Sequence, residues 1–124
     1  MRIMSVDDSK LIRMYVRSAA EQLGYEFLEA DDGKEALRKV EAENGNIDLV
    51  LLDWHMPEME GLEVLKRLKA DERYKHIPVL MVTTEVERAS VIQAIEAGAR
   101  NYLMKPFTQD KLVAKILESL GLAE

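Results

Sequence analysis

Short apolar runs alternate with amphipathic helical stretches five times along this chain. The segments that predict strands are residues 3–6, 25–30, 49–52, 77–82 and 101–104. The stretches that repeat apolar residues at helical spacing lie at 12–23, 33–43, 61–70, 86–97 and 112–120. Strict alternation of this kind predicts βαβ units with right-handed crossovers. The fold class is therefore α/β, with five strands and five helices.

The third run, Leu49–Leu52, has four apolar residues with no polar residue between them. A strand that is buried on both faces has this pattern, and such strands are typical of parallel sheets covered by helices. Capping signals support the boundaries of the helices. Gly24 follows the first helix, and Asp32 with Glu35 forms a capping box before the second.

Length and composition bound the function. The 124 residues fit one domain over 1–124, and 17 Lys and Arg against 23 Asp and Glu give a net charge of −6. This acidic balance argues against nucleic-acid binding. No cysteine is present, which excludes disulfides and thiolate metal sites. With no signal peptide and no apolar run long enough for a membrane span, we expect a cytoplasmic protein without membrane insertion.

Polar residues follow four of the predicted strands. Asp7 and Asp8 end the first, Asp53 the third, Thr83 the fourth and Lys105 the fifth. Ligands of open α/β sheets bind beyond the carboxyl ends of the strands, so these side chains should meet. Two carboxylates about 4 Å apart repel by roughly 4 kcal/mol at an effective dielectric near 20, which a cation relieves. Oxygen ligands suit Mg²⁺.

A carboxylate beside Mg²⁺, a lysine and a threonine can act as a phosphoryl acceptor. Asp53 would attack phosphorus and form an acyl phosphate, while Mg²⁺, Lys105 and Thr83 hold phosphoryl oxygens. Taken alone, Asp7 and Asp8 fit equally well as solvated helix caps. The combination on three strands is what favours a site.

Four motifs together resemble the response-regulator receiver domains over about residues 2–121, and among these the stand-alone chemotaxis regulators. The motifs are Val6-Asp7-Asp8-Ser9, the segment 52–61 from Leu52-Asp53 to Glu60-Gly61, Val82-Thr83-Thr84-Glu85, and Tyr102-Leu103-Met104-Lys105-Pro106-Phe107. The resemblance implies a doubly wound, flavodoxin-like sheet with strand order 2-1-3-4-5. It also implies one receiver domain over 1–124.

The resemblance implies a role for each acidic residue. Asp53 matches the phosphorylated aspartate. Asp8 and Asp53 match the side-chain ligands of Mg²⁺, and Asp7 matches the acid that supports the ion through water. His55 matches the position whose backbone carbonyl binds the ion.

The resemblance also implies a switch. Thr83 and Lys105 match the hydroxyl and the ammonium that sense the phosphoryl group. Tyr102 matches the aromatic residue that moves inward when Thr83 moves toward that group. The bond between Lys105 and Pro106 is usually cis in the family, against about 5–6% of X–Pro bonds in general.

His55 is a departure from the related chemotaxis regulators, which often carry asparagine there. A backbone ligand tolerates this change, but the side chain faces the route of water to the acyl phosphate, as does Glu85. We predict that His55 and Glu85 tune the lifetime of the phosphoryl group. The His55 side chain is a poor metal-ligand candidate, because the only other histidine, His76, lies in a different loop.

We therefore expect a monomeric phosphorylation switch that a sensor histidine kinase activates. The receiver would catalyse its own phosphorylation and dephosphorylation, and it would not be a turnover enzyme. Its output would pass through the fourth helix, fifth strand and fifth helix to a protein target, with the flagellar motor switch as candidate. The residues expected on this surface are Glu87, Arg88, Tyr102, Thr108, Lys111 and Lys115. The ends of the chain suit a stand-alone protein.

Three other functions compete with this interpretation. A phosphorelay shuttle or phosphate sink would share every site residue. An aspartate-nucleophile phosphatase needs an acid where His55 stands. A flavodoxin-like cofactor binder needs a glycine-rich loop after the first strand, where Asp7-Asp8-Ser9 lies instead. On the first helix, Lys10, Arg13 and Arg17 indicate a mostly solvated face, part of which resembles a kinase contact surface.

Overall fold

Five parallel strands form one sheet with the order β2-β1-β3-β4-β5. The computed structural model describes residues 1–84 and 88–122. Its strands are β1 Arg2–Val6, β2 Glu26–Ala30, β3 Leu49–Leu52, β4 Val79–Thr83 and β5 Asn101–Met104. Its helices are α1 Lys10–Leu23, α2 Gly33–Ala42, α3 Gly61–Ala70, α4 Arg88–Glu96 and α5 Gln109–Ser119. The predicted fold class and strand order are confirmed.

Two apolar cores lie on opposite faces of the sheet. One packs α1 and α5 against side chains such as Ile3, Leu51 and Leu103. The other packs α2 and α3 against side chains such as Met4 and Leu52. All four residues of β3 are buried, which explains why this strand has no alternating polar positions.

The two predicted caps are present, with Gly24 at the end of α1 and Asp32 at the start of α2, and Ser9 and Thr108 cap α1 and α5 in addition. Ser9 Oγ accepts a hydrogen bond from Ile12 N, and Asp32 Oδ1 accepts one from Glu35 N. Gly24 has a φ of 74° and ends α1. Thr108 caps α5 in the same way as Ser9 caps α1. These caps place the N-termini of α1 and α5 directly after strands β1 and β5.

Several element boundaries differ from the prediction by one to three residues; α1, for example, begins at Lys10 rather than at residue 12, and α5 at Gln109 rather than at residue 112. The strand predicted at 77–82 begins at Val79 and runs through Thr83. Pro78 has no N–H to donate and contributes its carbonyl to Val50 N instead, so regular pairing starts one residue later. In the helix predicted at 86–97, residues 86 and 87 lie outside the described residues, and α4 ends at Glu96. Within the described ranges, no helix is both long and apolar enough to cross a membrane.

Candidate functional site

The loop from β1 to α1 holds Asp7 in a fixed position. Asp7 is 2% exposed, and its N–H donates to the carbonyl of Ala30 on β2 at 3.1 Å. Its Oδ1 accepts a hydrogen bond from Ser9 N at 2.9 Å. The next residue, Asp8, is exposed. One acid is therefore buried beside the sheet, while its neighbour faces solvent.

The end of β3 delivers Asp53 to the same edge. Its N–H donates to the carbonyl of Val6 on β1 at 2.9 Å, and the residue is 7% exposed. Gly61, the first residue of α3, lies against it. A Cβ on Gly61 would stand 1.9 Å from the Asp53 carbonyl oxygen. Only glycine permits this approach, which holds the loop 54–60 close to the acidic cluster.

The three acids form one cluster. A carboxylate oxygen from each of Asp7, Asp8 and Asp53 lies within 4.8 Å of the others. Lys105 Nζ lies 2.8 Å from Asp7 Oδ2 and 3.5 Å from Asp53 Oδ1. The predicted convergence of these four residues therefore occurs in the structure.

The electrostatics of the cluster act most strongly on Asp53. Burial, together with the charge of Asp7, raises the pKa of Asp53 from 3.8 to about 6. The Lys105 ammonium and a hydrogen bond from Trp54 N–H oppose this rise. One lysine thus does not neutralise the cluster, and a hard divalent cation fits three carboxylates of this kind. Asp7, Asp8 and Asp53 are the residues that would hold it.

Thr83 ends β4, the strand that pairs with β3, and Tyr102 lies on the next strand, β5. Thr83 is fully buried at the last position of β4, and its carbonyl accepts a hydrogen bond from Lys105 N at 2.9 Å. Tyr102 is partly buried and packs against the core on the α2–α3 face. The peptide bond between Lys105 and Pro106 is cis, as predicted.

Of the two predicted tuning residues, the structure describes His55 only. The His55 side chain is exposed, and its Nδ1 lies 3.0 Å from Glu60 Oε2. Glu85 lies outside the described residues. The sequence patterns did not predict the contact with Glu60, nor the φ of 72° at Glu58 in the same loop. A histidine and a glutamate five residues apart do not indicate a contact, and glutamate does not indicate a positive φ.

The environment of one arginine side chain also differs from the prediction. Arg13, predicted on a solvated face, donates to the backbone carbonyl of Asp7 at 2.6 Å. Its Nε donates to Glu29 Oε1 on β2 at 2.8 Å. The position of Arg13 at the start of α1, directly after the acidic loop, could have indicated this contact.

Residues 3–117 match the family model of the response regulator receiver domain. The chain belongs to this family. Among curated relatives, chemotaxis protein CheY1 of Helicobacter pylori strain J99 is 44% identical over 98% of this chain and 98% of its own length. CheY of Pseudomonas aeruginosa PAO1 is 44% identical over 94% of this chain and 93% of its own length.

Solved structures of receivers share the fold. The structure of Vibrio cholerae CheY4 has a TM-score of 0.88 and 34% identity, covering 96% of this chain and 98% of that one. A CheY-like receiver of Methanospirillum hungatei JF-1 has a TM-score of 0.86 and 33% identity, covering 97% and 93%. The chain is thus a response regulator of the two-component type, as its motifs predicted. The family uses Mg²⁺ at an acidic pocket, and this receiver has its acidic cluster at the corresponding edge of the sheet.

Proposed function

We propose that Asp53 accepts a phosphoryl group and that this event switches the receiver in a chemotaxis pathway. The observation that carries the proposal is the buried Asp53 carboxylate, which clusters with Asp7 and Asp8 and lies 3.5 Å from Lys105 Nζ. A sensor histidine kinase would supply the group from phosphohistidine. The phosphorus–nitrogen bond breaks as an Asp53 oxygen forms the new bond to phosphorus.

The residues around Asp53 suit this transfer. Phosphoryl transfer depends mainly on positioning and on neutralising the phosphoryl oxygens. Mg²⁺, when bound by Asp8, Asp53 and the His55 carbonyl, supplies positive charge at those oxygens, and Asp7 supports the ion. Lys105 is already held at the cluster by Asp7, so its ammonium can pair with the new negative charge. Thr83 offers a hydroxyl from the neighbouring strand.

The output surface follows from the same strands. Thr83 ends β4 and Tyr102 lies on β5, so a change at Asp53 can reach the face made by α4, β5 and α5. On α4, Ile92 and Ile95 are exposed apolar side chains, which suits protein docking. We propose that a protein target binds there in the phosphorylated state, with the flagellar motor switch as the first candidate. The relatives in H. pylori and P. aeruginosa, both named chemotaxis proteins, support this choice.

The remaining expectations fit a switch that works as a binding protein. We propose a monomeric, cytoplasmic receiver over 1–124 that is not a turnover enzyme, because its one acceptor returns to the starting state by hydrolysis. His55 and Glu85 would set the rate of that hydrolysis. A shuttle or phosphate sink would use the same site, and binding of a target to the α4–β5–α5 face is what distinguishes the two.

Incubation with acetyl phosphate and Mg²⁺, followed by intact-mass measurement, tests the acceptor. We expect one added phosphoryl group on the wild-type protein, and none on Asp53→Asn or in the presence of a chelator. Asp48→Asn is the matched control, since Asp48 lies before β3 and accepts a hydrogen bond from Arg2 N. An adduct that persists in Asp53→Asn contradicts the proposal, as does a wild-type protein that gains none.

A further inference from the structure

Arg13 connects α1 to the acidic loop. Its side chain is 15% exposed, whereas that of Arg17, one turn later, is 53% exposed. Both arginines bind the same carboxylate: Arg13 Nε donates to Glu29 Oε1, and Arg17 donates to Glu29 Oε2 at 2.9 Å. In addition, Arg13 donates to the carbonyl oxygen of Asp7 at 2.6 Å.

The carbonyl that Arg13 binds belongs to the peptide unit between Asp7 and Asp8. Three contacts therefore fix this short segment: Ala30 O accepts from Asp7 N, Ser9 N donates to Asp7 Oδ1, and Arg13 donates to Asp7 O. The first two hold the residue that carries the buried acid. The contact from Arg13 fixes the orientation of the peptide unit that links Asp7 to the exposed Asp8.

Orientation of that plane matters because the acids repel one another. Without a divalent cation, Asp7 and Asp8 lower their energy by moving apart, and rotation of their shared peptide unit is one way in which they can do so. A hydrogen bond from a charged donor resists this rotation more strongly than one from a neutral donor. Cation sites depend on such outer contacts, which hold the ligands in place before the ion arrives.

We propose that Arg13 is a positioning residue for divalent-cation binding at the Asp7–Asp8–Asp53 cluster. Its guanidinium, held by Glu29, fixes the Asp7–Asp8 peptide so that the carboxylates remain gathered. This inference rests on the proposed function, because it takes Mg²⁺ as the ion that the three carboxylates bind. Because Glu29 offsets much of the guanidinium charge, the effect comes from orientation more than from long-range attraction.

Calorimetric titration of the full chain with Mg²⁺ tests the proposal directly. We expect Arg13→Gln to raise the Kd for Mg²⁺ roughly tenfold, the lower end of the usual effect of removing an outer contact. Arg17→Gln is the matched control, because it removes an arginine from the same helix and a hydrogen bond to the same Glu29 carboxylate. Its Kd should stay within about twofold of wild type. Arg13→Lys should lie between, since an ammonium can donate to the carbonyl but lacks the planar fork that also engages Glu29.

A second measurement separates positioning from general stability. With acetyl phosphate as donor, Arg13→Gln should raise the half-saturating Mg²⁺ concentration roughly tenfold and leave the rate at saturating Mg²⁺ unchanged. Circular dichroism without Mg²⁺ establishes that each variant is folded. Should Arg13→Gln fail to fold, the Kd of Arg13→Lys decides.

Two results would overturn the positioning role. One is a Kd for the folded Arg13 variant within twofold of wild type. The other is an equal loss in Arg17→Gln, which would assign the effect to α1 packing or net charge. A wild-type protein that binds no Mg²⁺ would instead refute the proposed function on which the inference rests.

Discussion

Replacing Asp53 with asparagine should stabilise the metal-free protein. The folded structure places the Asp53 carboxylate in a buried position, with Asp7 as its charged neighbour, and raises the pKa of Asp53 from 3.8 to about 6. At neutral pH the folded state must therefore keep an ionised group that it holds less favourably than the unfolded chain does. Asparagine has nearly the same shape without the charge, so the substitution removes this cost.

The size of the effect follows from the pKa. Each unit of difference between folded and unfolded states corresponds to 1.36 kcal/mol, so a pKa that rises from 3.8 to about 6 costs about 3 kcal/mol of folding free energy at pH 7. Since the folded state binds the proton more tightly, stability falls as pH rises from about 4 to about 6. At pH 4.5 the cost has shrunk to about 1 kcal/mol. We thus expect Asp53→Asn to gain roughly 2–3 kcal/mol at pH 7 and about 1 kcal/mol at pH 4.5.

Urea denaturation in the presence of a chelator measures both values. Trp54 is the single tryptophan, is 8% exposed and follows Asp53, so its fluorescence should report unfolding. Glu29→Gln is a control of opposite sign. The hydrogen bond from Arg13 lowers the pKa of Glu29 in the folded protein. The ionised Glu29 carboxylate therefore stabilises the fold at pH values above the pKa of Glu29 in the unfolded chain, and this stabilisation is lost as the pH falls.

An Asp53→Asn protein that is no more stable than wild type at pH 7 would show that the buried charge carries no such cost. A gain that is the same at pH 7 and pH 4.5 would show this as well, because a packing change would be independent of pH whereas a buried charge is not. Saturating Mg²⁺ should reverse the order of stability, since an ion that binds the folded wild type stabilises it and Asp53→Asn lacks a ligand.

Three further predictions concern the same edge of the sheet. Gly61→Ala should destabilise the fold by about 2 kcal/mol or more, measured by urea denaturation, because its Cβ would meet the Asp53 carbonyl oxygen at 1.9 Å; an unchanged midpoint would contradict this contact. The apparent Kd for Mg²⁺ should be roughly tenfold higher at pH 5 than at pH 7, from the pKa of Asp53 alone, and calorimetry at both values checks it. Ser9→Ala should cost about 1 kcal/mol through loss of the cap on Ile12 N, with Ser9→Asn nearly neutral, as thermal unfolding would reveal.

Much of the fold was predictable because its signals are local. Uninterrupted apolar runs such as Leu49–Leu52 and caps such as Asp32 each act within a few residues, and the structure confirms them. The convergence of Asp7, Asp8 and Asp53 was predictable for a different reason: parallel strands bring their carboxyl ends to one edge whatever the side chains between them.

The contacts that hold the site were not predictable in the same way. Arg13 on α1 donates both to the Asp7 carbonyl, after β1, and to the Glu29 carboxylate, on β2. The approach of Gly61 to Asp53 depends on how the loop 54–60 closes, and a single glycine at a helix start is compatible with many loop conformations. Such contacts join groups whose proximity depends on the tertiary fold, which neither spacing nor composition encodes.

The strand order also determines how the sheet meets other chains. It leaves β2 and β5 as edges, whose backbone N–H and C=O groups are a template for pairing with a further strand. Glu26 and Glu29 on β2 form ion pairs with Arg2, Arg13 and Arg17, and β5 has only four residues, Asn101–Met104. A second copy adding to β2 would meet these charged side chains at the edge, and one adding to β5 would gain few hydrogen bonds. Both edges therefore oppose aggregation by strand addition.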